Sequence, residues 1–136
     1  MTSVHPDRTS GWIRMAGHLP PLLLSRGGVA ELPTRPAAPL GLSDGRDWPG
    51  IPIRLDGSWS ILLYTDGLIE GRIGKGAERL GSEGLMDLIR DALGGPDQPG
   101  EQLLDQVIDR VRELNGGDLD DDLAVLALGF SSPTEP

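Results

Sequence analysis

The chain has 136 residues, a formal net charge of −9 and no cysteine. Its length suits one compact domain with a real core, and its acidity excludes the usual basis of nucleic-acid binding, which is the neutralisation of phosphates. The absence of cysteine excludes disulfides, thiol nucleophiles and cysteine-ligated zinc. Because neither a signal-peptide segment nor an apolar run of membrane length stands in the sequence, a cytoplasmic protein without membrane contact is expected.

The first half of the chain predicts short strands separated by turns. Two prolines in "HLPPLLLSR" favour a strand start or a sheet edge, and Gly27 and Gly28 stand where a hairpin would turn. Residues 33–52, which are rich in proline and glycine, predict an ordered loop. The predicted strands are 11–17, 18–26, 27–32, 51–55 and 59–65, the last two joined by Asp56-Gly57.

Two amphipathic helices and a last strand follow. The apolar residues of "GSEGLMDLIRDALGG" (81–95) have helical spacing, with Ser82 as the predicted N-cap and Gly94 as the stop. A stronger apolar stripe lies in 99–117, where Asn115-Gly116 predicts the helix end. The final strand is predicted over "LAVLALGF" (123–130).

This order of elements predicts an α+β fold in which antiparallel β-sheet packs against helices. The near-continuous apolar runs "ILLY" and "LAVLAL" indicate strands that are covered on both faces. The helices supply one cover, and the second is expected to lie outside this chain. A disordered tail is predicted over residues 131–136.

Four short motifs suggest functional sites, but each lacks the neighbouring residues or elements that the site would need. Ser43 in "GLSDG" matches a nucleophile elbow, but no strand precedes it, no helix follows it and both histidines lie upstream, so a turn is predicted. "GRIGKG" (71–76) lacks the serine or threonine of a phosphate loop and predicts a flexible loop. The acidic run from Asp118 lacks the glycine and glutamate of a calcium loop. For His18 a hydrogen bond within its turn is predicted.

Two acidic strand ends remain as candidates. Asp66 leaves the apolar run "ILLYTDG", and Asp120, Asp121 and Asp122 precede the last strand. Each end alone is explained by a turn or a solvated loop. Together they indicate more, because adjacent carboxylates against an apolar strand repel one another, and a hard cation such as Mg²⁺ or Mn²⁺ would offset that repulsion. Strand alternation predicts that only one of Asp121 and Asp122 points into a shared site.

Four segments in this order resemble a known family. They are "AGHLPPLLL" (16–24), "APLGL" (38–42), "ILLYTDGLIE" (61–70) and "DDLAVLALG" (121–129). The chain is similar here to the PPM-type metal-dependent protein serine/threonine phosphatases, in the branch of RsbU-like and SpoIIE-like regulators of sigma factors. The resemblance runs from about residue 4 to residue 130.

The resemblance implies a fold and a site. Two β-sheets would stack face to face with helices on the outer faces, as an αββα sandwich that is incomplete on its amino-terminal side, with residues 1–130 as a partial phosphatase domain. A pair of Mn²⁺ or Mg²⁺ ions would be held by aspartates. The family's metal-binding positions fall on Asp66 and Asp121, with Gly67 and Asp122 as neighbours, and Gly67 would let the backbone turn close to the ion. The family's upstream "GD-x-x-GHG" segment has no counterpart in these residues.

Two functions follow from this resemblance. The first is metal-assisted hydrolysis of phosphoserine or phosphothreonine on an anti-anti-sigma-type protein, with this chain carrying the second half of the active site. The second is a catalytically silent half-domain that acts as an interaction module in sigma-factor regulation. Open sheet edges would be completed by a second copy or by an upstream phosphatase segment, and neither nucleic acid nor membrane is an expected partner.

Overall fold

A computed structural model describes residues 1–42, 48–93 and 100–131, and the chain forms two antiparallel sheets and two helices within these ranges. The predicted turn at Ser43, the helix stop at Gly94 and the tail from residue 132 lie outside the described residues. The strands are β1 (Thr2–Val4), β2 (Ser10–Ile13), β3 (Leu22–Ser25), β4 (Gly28–Glu31), β5 (Ile51–Arg54), β6 (Trp59–Tyr64) and β7 (Val125–Phe130). The helices are α1 (Gly81–Ala92) and α2 (Gly100–Asn115), and a 3₁₀ turn (Asp66–Leu68) follows β6.

The strands divide into a first sheet of order β1-β2-β5 and a second sheet of order β4-β3-β6-β7. This confirms the predicted α+β class. The strands on either side of Asp56-Gly57 do not pair with each other, because β5 pairs with β2 and β6 pairs with β3. Strand β1 was not predicted, since three residues are too few for a pattern. It is formed by its pairing with β2, in which Val4 lies opposite Gly11.

Strand β6 is covered on both faces, as its apolar run predicted. Trp59 and Ile61 belong to a core between the two sheets, whereas Leu62 and Tyr64 belong to a core between the second sheet and the helices. The second cover of β6 is therefore the first sheet of the same chain, and the expectation that it lies outside the chain was wrong for this strand. The three layers hold β6 rigidly, and Asp66 follows directly after it.

Both helices lie on the second sheet through one apolar stripe each. The stripe of α1 buries Leu85 and Ile89, and that of α2 buries Leu103, Val107 and Val111. Helix α2 ends at Asn115, as predicted. Ser82 does not cap α1, because the helix begins at Gly81 and the cap position falls on Leu80, which makes no side-chain cap bond. Within the described ranges, no helix has the length and apolar character needed to cross a membrane.

Among the described residues, strand β7 is an edge strand that pairs only with β6. Leu126 and Leu128 lie opposite Leu63 and Ile61, so they share the face that points toward the first sheet. They nevertheless remain exposed, at 62% and 44% of their surface, because the first sheet does not extend over them. The described part of the chain therefore does not cover this face of "LAVLAL", and a cover from outside the chain stays a prediction.

The hydroxyl of Tyr64 gives a first prediction. Tyr64 is 2% exposed, and its oxygen has no hydrogen-bond partner among the described residues. A buried hydroxyl without a partner is costly, so we expect Tyr64→Phe to leave the free energy of unfolding unchanged or to raise it by about 1 kcal/mol. Urea unfolding followed by circular dichroism measures the change. A loss of stability would show that the hydroxyl is bonded.

The same hydroxyl predicts a pH dependence. Burial, with a smaller effect from Glu31, raises the pKa of Tyr64 above its ordinary value of 10.0. A raised pKa means that the folded state holds the proton more tightly than the unfolded state, so this contribution to stability is complete below pH 10 and is lost as the pH rises further. Tyr64→Phe should therefore lose less stability than the wild type between neutral and strongly alkaline pH. Parallel curves would contradict the prediction.

Candidate functional site

Asp66 is held at the surface by the turn that ends β6. After the extended residue Thr65, the Leu68 amide donates to the Thr65 carbonyl (3.1 Å) and the Ile69 amide to the Asp66 carbonyl (2.9 Å). The predicted Asp-Gly β-turn is thus a 3₁₀ turn. Leu68 is fully buried in the core beneath the helices, and this anchors the turn. The Asp66 carboxylate is therefore exposed on a rigid stem.

Thr65 joins this stem to the second acidic segment. Its amide donates to the Ala124 carbonyl (3.0 Å), and its hydroxyl donates to the Asp122 carbonyl (2.9 Å) while accepting from the Ala124 amide (3.0 Å). The two acidic segments therefore meet at one end of the second sheet, where β6 ends and β7 begins. Because β7 begins only at Val125, strand alternation does not orient Asp121 and Asp122, and that part of the prediction was wrong.

Gly67 lies directly against the second acidic segment. A Cβ atom at this position would stand 2.5 Å from the Asp122 carbonyl oxygen and 3.3 Å from that of Asp121. Real Cβ atoms do not approach backbone oxygen so closely, so a side chain would push the two segments apart. Gly67 does not adopt a positive φ. The reason for glycine here is this close approach, and not the turn that the sequence suggested.

Both candidate carboxylates are oriented by the backbone in the same way. The Asp66 Oδ1 atom accepts from the Gly67 amide (3.1 Å), and the Asp121 Oδ1 atom accepts from the Asp122 amide (2.8 Å). Their Oδ2 atoms make no hydrogen bond within the described ranges. Each side chain is therefore held in place and still offers one oxygen to a ligand.

These donors fit one hard cation. Mg²⁺ and Mn²⁺ prefer carboxylate oxygens, and Mg²⁺ commonly binds through one or two carboxylates while it keeps several waters. A pair of ions ~3.5–4 Å apart needs more carboxylates than two. In the described part of the chain, no group of three or more histidine, aspartate or glutamate side chains is placed to hold a metal ion. The neighbours Asp120 and Asp122 are exposed beside the pair.

Two polar residues at this edge were not identified from the sequence as parts of the site. Thr65 was treated only as part of a strand, and Asn115 only as a helix end. The Asn115 amide group donates to the Asp118 carbonyl (2.8 Å) and accepts from the Arg72 amide (2.9 Å), so it ties the end of α2 to the loop that follows Asp66 and to the residues that lead to Asp120. The position of Thr65 just before the strand-end acid was the available signal, since a hydroxyl there can bond backbone groups of a neighbouring segment.

The predicted role of His18 is borne out. Its Nδ1 atom donates to the Leu19 carbonyl at 2.9 Å, within its own turn, and the ring is exposed. Because a carbonyl oxygen only accepts, Nδ1 carries the proton. His18 is thus a turn residue here, and it does not join the acidic edge.

The bridge formed by Thr65 gives a second prediction. Thr65→Val removes the hydroxyl and leaves the Asp122 carbonyl and the Ala124 amide without that partner, so we expect a loss of about 1 to 2 kcal/mol in the free energy of unfolding. Thr65→Ser keeps the hydroxyl and is the matched control. Urea unfolding of both variants tests this. Thr65→Val keeps a methyl group and Thr65→Ser lacks it, so a loss in the valine variant no larger than that in the serine variant would contradict the prediction.

Comparison with known proteins identifies relatives that share this architecture. The family model described as Stage II sporulation protein E (SpoIIE) matches residues 1–131. The structure of the RsbU and RsbW domains of Rv1364c from Mycobacterium tuberculosis is similar at 29% identity and a TM-score of 0.74, over 93% of this chain and 35% of that one. The SiaA-PP2C domain of Pseudomonas aeruginosa is similar at 25% identity and a TM-score of 0.70, over 91% of this chain and 48% of that one.

A third relative shows the fold at lower identity. The phosphatase domain of the cell fate determinant SpoIIE from Bacillus subtilis, in a Mn-presoaked structure, is 16% identical with a TM-score of 0.68, over 100% of this chain and 57% of that one. The chain thus spans between about a third and three fifths of the structures that it matches. These findings confirm the family resemblance and the phosphatase-type sandwich, of which the chain forms a part.

Proposed function

The chain belongs to the SpoIIE family, and we propose that it carries the second half of the active site of a metal-dependent protein serine/threonine phosphatase. One observation carries this proposal. Thr65 and Gly67 hold the segment of Asp66 against the segment of Asp121, although these segments lie far apart in the sequence. Two exposed carboxylates at the end of a rigid sheet are part of what a hydrolytic metal centre needs, and its remaining ligands have to be added.

In this proposal the roles of the chain's own residues follow from their contacts. Asp66 and Asp121 would hold one Mn²⁺ or Mg²⁺ ion through their Oδ2 atoms, while the backbone amides bond the Oδ1 atoms. When bound, the ion supplies positive charge for a phosphoryl group and lowers the pKa of a water molecule. The exposed position of both carboxylates lets a phosphoserine or phosphothreonine on the surface of another protein reach the site.

Further ligands would come from outside the described residues. Within the described ranges, strand β7 leaves one edge of the second sheet unpaired and exposes Leu126 and Leu128 beside it. Open edges of this kind pair with other strands. An upstream phosphatase segment, or a second copy of the chain, would cover this edge and add the acidic residues for a second ion.

The substrate and the setting are proposed from the relatives. The Mycobacterium tuberculosis structure contains RsbU and RsbW domains, which supports a regulatory phosphoprotein of the anti-anti-sigma type as the substrate and sigma-factor regulation as the setting. A cytoplasmic location is part of the same proposal, because such a regulator acts there.

An interaction module without catalysis is the second candidate. It is favoured by the lack of a third metal-binding side chain beside Asp66 and Asp121 within the described ranges. Such a module would keep the fold and bind a regulator, and it would not turn over a phosphate ester.

Metal addition and removal test the proposal. Purified chain is titrated with Mn²⁺ in a calorimeter and assayed with p-nitrophenyl phosphate, with and without EDTA. We expect binding of Mn²⁺, hydrolysis that requires it, and loss of both with EDTA. Absence of hydrolysis at millimolar Mn²⁺, in a protein that circular dichroism shows to be folded, would support the interaction module. Absence of Mn²⁺ binding would overturn the assignment of Asp66 and Asp121 as ligands.

A further inference from the structure

A basic cleft lies beside the two acidic segments. The loop of residues 71–80, here called the basic loop, encloses an open cleft of about 350 Å³ lined by Arg72, Lys75, Gly76, Ala77 and Arg79. Three of these five residues are cationic and none is acidic. This concentration of positive charge is unexpected in a chain whose net charge is −9.

The backbone of the basic loop places two arginines opposite each other. The Ile73 amide donates to the Glu78 carbonyl (2.9 Å) and the Leu80 amide to the Gly71 carbonyl (3.0 Å), which forms an isolated antiparallel bridge between Arg72 and Arg79. Like charges directly opposite across an antiparallel pair are destabilising. An anion in the cleft would remove that cost.

Among the described residues, one of the three cations, Arg79, is neutralised by an acidic side chain. Arg79 Nη1 lies 3.2 Å from Glu70 Oε2 and also donates to the Glu70 carbonyl at 2.8 Å. Among the residues that the structure describes, neither Arg72 nor Lys75 forms an ion pair. Glu78, which is the one acidic residue in the sequence of the loop, is exposed and does not line the cleft. The cleft therefore keeps a surplus of positive charge.

The two ends of the basic loop contact the chain near both acidic segments. The Gly81 amide donates to the Ile69 carbonyl (2.9 Å), next to the turn that carries Asp66. Gly71 lies against Leu119, since a Cβ atom at Gly71 would stand 3.1 Å from the Leu119 Cδ2 atom. The Arg72 amide donates to Asn115, which also bonds the segment of Asp118. The loop that encloses the cleft is thus anchored to the two segments that carry Asp66 and Asp121.

We propose that this cleft binds the acidic side chains that flank the phosphorylated residue of the protein substrate. The proposal rests on the proposed function, because it takes the carboxylate pair as the place of the phosphoserine. An acidic enzyme repels an acidic substrate at long range. Arg72 and Lys75 offset that repulsion locally and orient the substrate chain toward Asp66 and Asp121. A long polyanion such as nucleic acid would meet the negative charge of the remaining surface.

Peptide binding without turnover tests the proposal. Two fluorescein-labelled peptides, each with one phosphoserine, differ only in flanking residues, which are Asp and Glu in one and Gln in the other. Their affinity is measured by fluorescence anisotropy at low ionic strength without added metal. We expect the wild type to bind the acidic peptide more tightly, and the double variant Arg72→Glu/Lys75→Glu to lose this preference, with roughly tenfold weaker binding of the acidic peptide.

Two control variants distinguish binding by the basic loop from a general effect of net charge and from an effect of the metal site. Arg26→Glu/Arg54→Glu changes the net charge by the same amount at exposed positions away from the loop, and it should keep the preference for acidic flanks. Asp66→Asn should keep it too, because it alters the metal site and leaves the basic loop intact. Equal binding of both peptides by the wild type, or equal losses in the two charge-reversal variants, would overturn the proposal. Neither outcome depends on whether the protein hydrolyses phosphate esters.

Discussion

Asp66→Asn is expected to lower Mn²⁺-dependent hydrolysis at least ~100-fold, as is typical when a group that stabilises the transition state is removed. Asparagine keeps an oxygen that can accept from the Gly67 amide, so the turn is preserved. It removes the negative charge that attracts the ion. Because Asp66 is exposed and forms no ion pair within the described ranges, we expect the free energy of unfolding to stay within about 0.5 kcal/mol of the wild type.

The matched control for this prediction is Asp120→Asn. Asp120 is an exposed aspartate in the same acidic segment, and its replacement removes the same charge. If Asp66 and Asp121 are the ligands, both of their asparagine variants lose turnover, whereas Asp120→Asn stays close to the wild type because exposed charges contribute little. Equal losses at Asp66 and Asp120 would mean that the negative potential matters and that neither residue is a specific ligand.

Thermal unfolding gives a reading of the same site that does not depend on activity. An ion that binds only the folded state stabilises it by RT ln(1 + [L]/Kd), which is about 2.7 kcal/mol at a hundredfold excess over Kd. Mn²⁺ should therefore raise the Tm of the wild type and of Asp120→Asn, and it should leave the Tm of Asp66→Asn and Asp121→Asn unchanged. A shift in all four proteins would place the ion elsewhere.

The sequence predicted the site through local patterns at strand ends. The run before Asp66 is apolar on both faces, which indicated a buried strand, and an acidic residue directly after it had to stand at the sheet edge. The second segment, with Asp120, Asp121 and Asp122, was predicted from its position before an apolar run, and the family resemblance singled out Asp121. The prediction for β6 is confirmed because its apolar residues do lie in cores on both faces of the strand.

The contacts that join the two segments could not be predicted. Whether Thr65 meets Asp122 depends on the pairing of β6 with β7, which sets Tyr64 opposite Val125. That register is a property of the folded sheet and has no short-range signal in the chain. The opposition of Arg72 and Arg79 likewise depends on how the basic loop closes. The sequence therefore showed which residues could act, and the structure showed which of them lie side by side.

Gly67→Ala is the stability prediction with the largest expected effect. The added methyl group would stand 2.5 Å from the Asp122 carbonyl oxygen. This oxygen belongs to the backbone and accepts from the Thr65 hydroxyl, so it cannot move without breaking that bond. Overpacking of this kind typically costs 1 to 3 kcal/mol, and we expect a loss of about 2 to 3 kcal/mol because a hydrogen bond is lost as well. Urea unfolding followed by tryptophan fluorescence measures it.

Gly76→Ala is the matched control, because it adds the same methyl group at a glycine that has no close neighbour. Gly76 has a non-positive φ, and its nearest neighbour to an added Cβ atom is 3.8 Å away, so alanine fits there and should change stability by less than about 1 kcal/mol, in the stabilising direction. A general preference for glycine in loops would make the two variants alike. A large loss at Gly67 alone, together with weaker Mn²⁺ binding, would show that the close approach of two backbone segments is what holds Asp66 and Asp121 in reach of one ion. Metal binding that persists in Gly67→Ala would mean that the two carboxylates do not depend on that approach.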